Sequence, residues 1–139
     1  MTRRKQRGEP NRWAAVDQGF VAAPCARIFD VLSEPPGYPG WWPGARATAD
    51  GRLRLTGLGA VSVRPHRVRP GVGLFVQVDG EGFRGDLEWY LEPYKEGTVV
   101  YGITNIESDR RWRERRILAV RSGIHSALVA LKDLTGRSA

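Results

Sequence analysis

The sequence predicts an α+β domain in which a run of antiparallel strands lies between one short helix and one long C-terminal helix. Several segments in the middle of the chain alternate apolar and polar residues, as half-buried strands do. One segment before these strands and one after them repeat apolar residues at helical spacing. Because strands and helices occur in separate runs, the order is that of an α+β fold.

The N-terminal part of the chain divides into a tail and the first elements of a domain. Residues 1–11 are charged and contain Pro and Gly, so we predict a disordered basic tail over 1–11 and a single domain over 12–139. A first strand is expected from Arg12 to Val21. Pro24 then opens a short helix, which must end before Pro35 because proline cannot continue it.

An aromatic turn, Tyr38–Gly44, leads into the remaining strands. These are predicted over 52–56, 59–64, 74–79, 83–92 and 98–106. In the clearest of them Phe83, Leu87, Trp89 and Leu91 share one face. A final helix is predicted from about Arg110 to Thr135, with Ser108 or Asp109 as its cap.

Composition excludes several classes of protein. The single Cys25 leaves no intramolecular disulfide and no cysteine-based zinc site, and no apolar run is long enough to cross a membrane. We see no signal peptide and expect a cytoplasmic protein without integral membrane association. His66 and His125 have no acidic cluster nearby, so neither a metal site nor a cofactor is predicted.

The net charge of +7 is concentrated in two places. Residues 1–12 hold five basic residues and one acid, and residues 109–121 hold six arginines and two acids. The arginine cluster Arg110–Arg116 could be a solvated face or a surface for nucleic acid or acidic lipid. It surrounds only one aromatic residue, Trp112, whereas RNA platforms offer several, so we do not expect nucleic acid as the main partner.

Three segments resemble the START/birch-allergen superfamily of helix-grip proteins (SRPBCC), and within it the bacterial polyketide cyclase/dehydrase-like proteins. They are Phe20–Pro24 with the following Ile28–Leu32, then Tyr38–Gly44, then Gly85–Pro93 with the following Glu96–Val100. The resemblance covers roughly residues 13–136. It implies a bent sheet of six to seven strands wrapped around the last helix, with one or two short helices after the first strand. It also implies a pocket for a hydrophobic or aromatic molecule between sheet and helix.

Apolar candidates for the wall of such a pocket come from four segments. Trp41 and Trp42 could fill the core or cover a flat ligand. Leu87 and Trp89 face the concave side of their strand, where core and pocket wall are hard to separate. The last helix supplies Ile117, Ile124 and Leu128. Tyr101 is a further candidate, although its strand is apolar on both faces and the inward face is left open.

Arg121 is the polar candidate. At 100° per residue it falls about 40° from Ile117, inside the apolar stripe of the last helix. Such an arginine could reach solvent, pair with an acid, or contact an anionic ligand oxygen. His125, at the edge of the stripe, could move protons near neutral pH, although a packed or surface role is common for such a histidine.

Three functions follow as expectations. The first is binding of a small hydrophobic or aromatic, polyketide- or lipid-like molecule, with Arg121 as its polar anchor. The second is a polyketide cyclase or dehydratase in which Arg121 stabilises an enolate and His125 or a tyrosine transfers protons, so catalysis stays uncertain. The third is a basic module for nucleic acid or acidic lipid. A homodimer is left open.

Overall fold

The structure, a computed structural model, describes residues 11–136, so most of the predicted tail lies outside the described residues. It contains one curved antiparallel sheet of seven strands wrapped around a long C-terminal helix. The strands are β1 (Asn11–Val21), β2 (Arg46–Ala47), β3 (Leu53–Leu55), β4 (Gly59–Arg69), β5 (Gly73–Gly80), β6 (Phe83–Tyr94) and β7 (Gly97–Ser108). Their order across the sheet is β1-β7-β6-β5-β4-β3-β2. This confirms the predicted helix-grip arrangement.

Three helical segments complete the fold. They are α1 (Cys25–Leu32), a 3₁₀ helix (Pro35–Gly40) and α2 (Glu114–Gly136). Helix α1 ends where the prolines predict, and it buries Ile28 and Leu32. None of the helices within residues 11–136 is long and apolar enough to span a bilayer.

The inner face of the sheet follows the predicted alternation. Phe83, Leu87, Trp89 and Leu91 of β6 are all buried. On β7 the inward residues are Val100, Gly102 and Thr104, which settles the face that the sequence left open. The side chain of Tyr101 therefore lies on the outer face of the sheet, away from α2.

Helix α2 lies along the edge strand β1 in the same direction. The rings of Trp13 and Trp112 are 5.6 Å apart at one end. Further along, Arg121 pairs with Asp17 at 3.2 Å. A methyl group placed on Gly19 would lie 3.6 Å from the Cβ of Leu128. These contacts bring α2 closest to β1 rather than to the middle of the sheet.

The sequence did not predict the short strand β2, and two element boundaries differ from the prediction by more than two residues. Helix α2 begins at Glu114 rather than Arg110, because Trp112 turns inward to pack against Trp13 and Phe83. The Asp109 N–H donates to the Gly82 carbonyl, which holds the preceding segment against the β5–β6 turn. Strand β4 continues through Pro65 to Arg69, with an irregularity at Arg67, whose φ is 50°.

Candidate functional site

Four aromatic residues form a layer between the sheet and the helices, which we call the aromatic layer (Tyr38, Trp41, Trp42 and Trp89). The rings of Trp42 and Trp89 are 6.0 Å apart and meet edge to face. The Trp89 Nε1–H donates to the Tyr38 hydroxyl at 3.2 Å, and that hydroxyl donates to the Leu32 carbonyl at 2.6 Å. Trp42 donates to the Gly123 carbonyl of α2 at 3.0 Å. The layer thus connects α1, β6 and α2.

The aromatic layer fills the space that the sequence assigned to a ligand at this level. A methyl group on Gly102 would lie 2.9 Å from Cγ2 of Ile124 and 3.0 Å from Cζ3 of Trp89. Ile124 of α2 and Trp89 of β6 therefore both pack against Gly102 of β7. The predicted wall residues that form this part of the core are buried: Trp42, Leu87, Trp89, Ile124 and Leu128. Trp41 is partly buried at the edge of the layer.

Burial of the Tyr38 phenol raises its pKa far above the usual range, because an ionised phenolate would lose its hydration. The folded chain therefore keeps a proton that the unfolded chain releases above about pH 10. We expect the free energy of unfolding to be independent of this group below pH 10 and to fall as pH rises beyond it. Urea unfolding between pH 8 and 11 would measure this. Tyr38→Phe should be less stable at pH 8, but its free energy of unfolding should fall less steeply with rising pH than that of the wild type. An equally steep fall in both proteins would contradict the assignment of this pH dependence to Tyr38.

The polar residues predicted on α2 lie at its side rather than beneath it. Arg121 donates to Asp17 at 3.2 Å, and its side chain is 44% exposed. His125 is exposed. The buried stripe of α2 contains the small residues Gly123 and Ala127 as well as the large apolar ones, so its centre lies about 50° from Ile117. This puts Arg121 about 90° and His125 about 130° from the centre. Ile117, from which the sequence measured the stripe, therefore lies at its edge rather than at its centre.

The outer face of the sheet holds the other candidates. Tyr101 donates to Glu92 at 2.9 Å, and this hydrogen bond to the carboxylate raises the pKa of Tyr101. His66 contacts Asp86 at 2.9 Å on the same face. Among the described residues no group of three or more His, Cys, Asp or Glu side chains could hold a metal ion.

Sequence reasoning missed a row of polar atoms on the inner face, which we call the polar line (Trp13, Asp17 and Thr104). Trp13 and Asp17 flank Ala15 on β1, and Ala15 is the register partner of Thr104 on β7. Trp13 Nε1, Asp17 Oδ2 and Thr104 Oγ1 are inaccessible to solvent and have no hydrogen-bond partner among the described residues. Buried polar atoms usually have a partner, and leaving one unpaired costs about 1–3 kcal/mol. The signal in the sequence was Asp17 in a strand that is otherwise apolar on that face.

A surface groove reaches one end of the polar line, and we call it the edge groove. It has a volume of about 520 Å³ and runs between the start of β1 and the start of α2. Its lining includes Asn11, Trp13, Trp112, Glu114 and Ile117. Both β1 and α2 continue from this groove, and they contact each other again at the Asp17–Arg121 pair. Of the apolar candidates on α2, only Ile117 lines it.

Trp112, which lines the edge groove, belongs to a cluster of aromatic rings and one guanidinium. The Phe83 and Trp112 rings are 5.0 Å apart, and the Arg116 guanidinium lies 3.6 Å over the Trp112 ring. Arg116 also donates from Nε to the Gly57 carbonyl at 2.8 Å. Partial burial lowers the pKa of Arg116, which nevertheless stays protonated at neutral pH. Arg116 thus connects α2 to the β3–β4 turn.

Comparison with known proteins gives structural but not sequence relatives. No protein-family model matches the chain, and no curated protein matches its sequence. The Zhui aromatase/cyclase from Streptomyces sp. R1128 is similar in structure, with a TM-score of 0.69, 15% identity, and coverage of 91% of this chain and 95% of that one. A START superfamily protein from Mycobacterium smegmatis has a TM-score of 0.67, 15% identity, and coverage of 91% and 99%.

A third similar structure is the Aha1 dimer from Colwellia psychrerythraea, with a TM-score of 0.63 and 15% identity, covering 88% of this chain and 96% of that one. At such identities the likeness concerns the fold and carries no activity from one protein to another. Together with the sheet order and the position of α2, it establishes that this chain has the START-like helix-grip fold.

Proposed function

We propose that the chain binds a small, largely hydrophobic molecule beneath α2, with a polar oxygen of that molecule against the polar line. The observation that carries this proposal is the set of three unpartnered buried atoms on Trp13, Asp17 and Thr104. An indole N–H can only donate, a carboxylate can only accept, and a hydroxyl can do both. A ligand with hydroxyl groups suits this combination, because a hydroxyl can accept from Trp13 or Thr104 and can donate to Asp17 or Thr104.

The path for such a ligand is the edge groove. Trp13 and Ile117 line the groove. Arg121 lies one helical turn after Ile117 on α2, and it pairs there with Asp17 of β1. Both Trp13 and Ile117 are only partly buried, in contrast to Tyr38, Trp42 and Trp89 of the aromatic layer. We therefore expect these two side chains to move aside when a ligand enters. The site is thus shifted from the level of Trp89 towards the start of α2.

The geometry favours binding over the cyclase or dehydratase alternative. Arg121, expected to stabilise an enolate, has its guanidinium neutralised by Asp17. His125, the candidate for proton transfer, is exposed on the solvent side of α2. Self-association and the cytoplasmic location stay predictions.

A stability measurement tests the polar line before any ligand is added. Thr104→Val removes an unpartnered buried hydroxyl, so we expect the free energy of unfolding to stay the same or rise by up to about 1 kcal/mol. Thr98→Val is the matched control, because the Thr98 hydroxyl donates to the Ala23 carbonyl at 2.8 Å and is equally buried. Loss of this hydrogen bond should lower the free energy of unfolding, measured with urea, by about 1–2 kcal/mol. Equal destabilisation by both substitutions would mean that Thr104 is already paired within the protein.

The same variant tests binding. Calorimetric titration with 2,6-dihydroxynaphthalene should give saturable binding to the wild-type chain and about tenfold weaker binding to Thr104→Val, since one hydrogen bond is lost. Thr98→Val should bind like the wild type. Absence of binding, or equal binding by Thr104→Val, would overturn the proposed function.

A further inference from the structure

A second groove at the same end of the molecule is dominated by positive charge, and we call it the arginine groove. Its volume is about 860 Å³. Five guanidinium groups line it, against the two carboxylates of Glu81 and Asp109; they belong to Arg110, Arg111, Arg113, Arg115 and Arg116. The sequence had left this cluster open between a solvated face and a binding surface.

Four of these arginines have no charge partner. Arg116 is held by Trp112 and by the β3–β4 turn. Arg110, Arg111, Arg113 and Arg115 are exposed, and within residues 11–134 none of them forms an ion pair. Like charges this close repel one another, and cations beside the start of a helix also oppose its dipole. An anion in the groove would relieve both effects.

The arginine groove adjoins the edge groove. Arg111 and Trp112 line both of them. A molecule that occupies the edge groove with an apolar body can therefore place an anionic end among the arginines. Guanidinium groups bind phosphate oxygens through paired hydrogen bonds, and several of them around one space favour a doubly charged group over a carboxylate.

From this shared lining we infer that the ligand is an amphiphile with a phosphate monoester at one end, bound by the arginine groove, and a hydrophobic body that reaches the polar line. The inference rests on the proposed function and names its ligand class. A phosphate monoester of this kind could be a free metabolite or the head group of a lipid in a membrane. The shared chemistry is the phosphate beside an apolar body.

The test compares 2,6-dihydroxynaphthalene with its monophosphate ester, which keeps one hydroxyl for the polar line. In calorimetric titration at low salt the ester should bind the wild-type chain about tenfold more tightly than the diol. The advantage should shrink at high salt, because screening weakens exposed charge pairs. The double variant Arg113→Gln/Arg115→Gln should bind the ester no more tightly than the diol. Its affinity for the diol should equal that of the wild type.

The matched control is Arg46→Gln/Arg54→Gln. These two exposed arginines are register partners on β2 and β3 and line neither groove, so the control makes the same change in net charge. It should keep the advantage of the ester. Ester and diol binding equally well would overturn the inference and leave the proposed function standing. Binding of neither would overturn the proposed function itself. If inorganic phosphate binds as tightly as the ester, the inference that the ligand is an amphiphile would be overturned.

Vesicles separate the two sources of the phosphate. Co-sedimentation with phosphatidylcholine vesicles that contain phosphatidic acid, but not with phosphatidylcholine alone, would support a membrane lipid as the ligand. Binding of the ester without co-sedimentation would support a soluble ligand. Co-sedimentation that Arg113→Gln/Arg115→Gln leaves unchanged would contradict a role of the arginine groove at the membrane.

Discussion

Trp89→Ala is expected to lower the free energy of unfolding by about 3–5 kcal/mol, the range observed when a buried aromatic side chain is truncated. Trp89 is 1% exposed, packs edge to face against Trp42, and lies against Gly102 of β7. Its removal leaves a void between sheet and helix and leaves the Tyr38 hydroxyl without its indole donor. The midpoint and slope of urea unfolding would measure the loss.

Trp41→Ala provides the comparison for this substitution. It removes the same side chain from the edge of the aromatic layer, where Trp41 is only partly buried. We expect a clearly smaller loss of stability, because less apolar surface returns to water and the void opens to solvent. Similar losses for both variants would mean that Trp89 is not the side chain that fills the space beneath α2.

Gly57→Ala is expected to lower the free energy of unfolding by about 2–5 kcal/mol. One part comes from the left-handed backbone conformation, which alanine adopts at a cost, and the other from overpacking against α2. The φ of Gly57 is +81°, and a methyl group there would lie 2.6 Å from Cγ2 and 2.7 Å from the backbone nitrogen of Val120. The clash with backbone cannot be relieved by rotating a side chain, so the β3–β4 turn must move away from α2. That movement would also break the Arg116 hydrogen bond to the Gly57 carbonyl.

Gly51→Ala separates the two contributions. Gly51 has almost the same φ, +85°, but a methyl group on it would meet no atom within 4 Å. It should therefore show only the conformational cost of about 1–2 kcal/mol. Thermal or urea unfolding of both variants gives the difference, and an equal loss would show that the turn does not press against α2 in solution.

The architecture was predictable because its signals are local. Alternation places each second side chain on one face of a strand, so Phe83, Leu87 and Trp89 had to be buried together. The prolines after Leu32 end α1 without any tertiary contact. Family resemblance in short segments then supplied the arrangement of these elements, and the solved structures confirm it.

The site was less predictable because it depends on how elements meet. The buried face of α2 is centred about 50° from Ile117, on the side of Gly123 and Ala127, whose small side chains give little hydrophobic signal. The sequence therefore placed Arg121 beneath the helix, where it does not lie. The inward turn of Trp112, which delays the start of α2, depends on Trp13 and Phe83 from distant strands.

The sequence by itself determined the order of the elements, the inner face of most strands and the surface position of the arginine cluster, since each follows from the period of a strand or helix and from charge. Only the tertiary structure decided that Trp89 closes the space beneath α2 and that Trp13, Asp17 and Thr104 share one buried row. It also decided that the arginines of 110–116 line a groove that shares Arg111 and Trp112 with the edge groove. These features depend on contacts between residues far apart in the chain, and local sequence patterns do not predict such contacts.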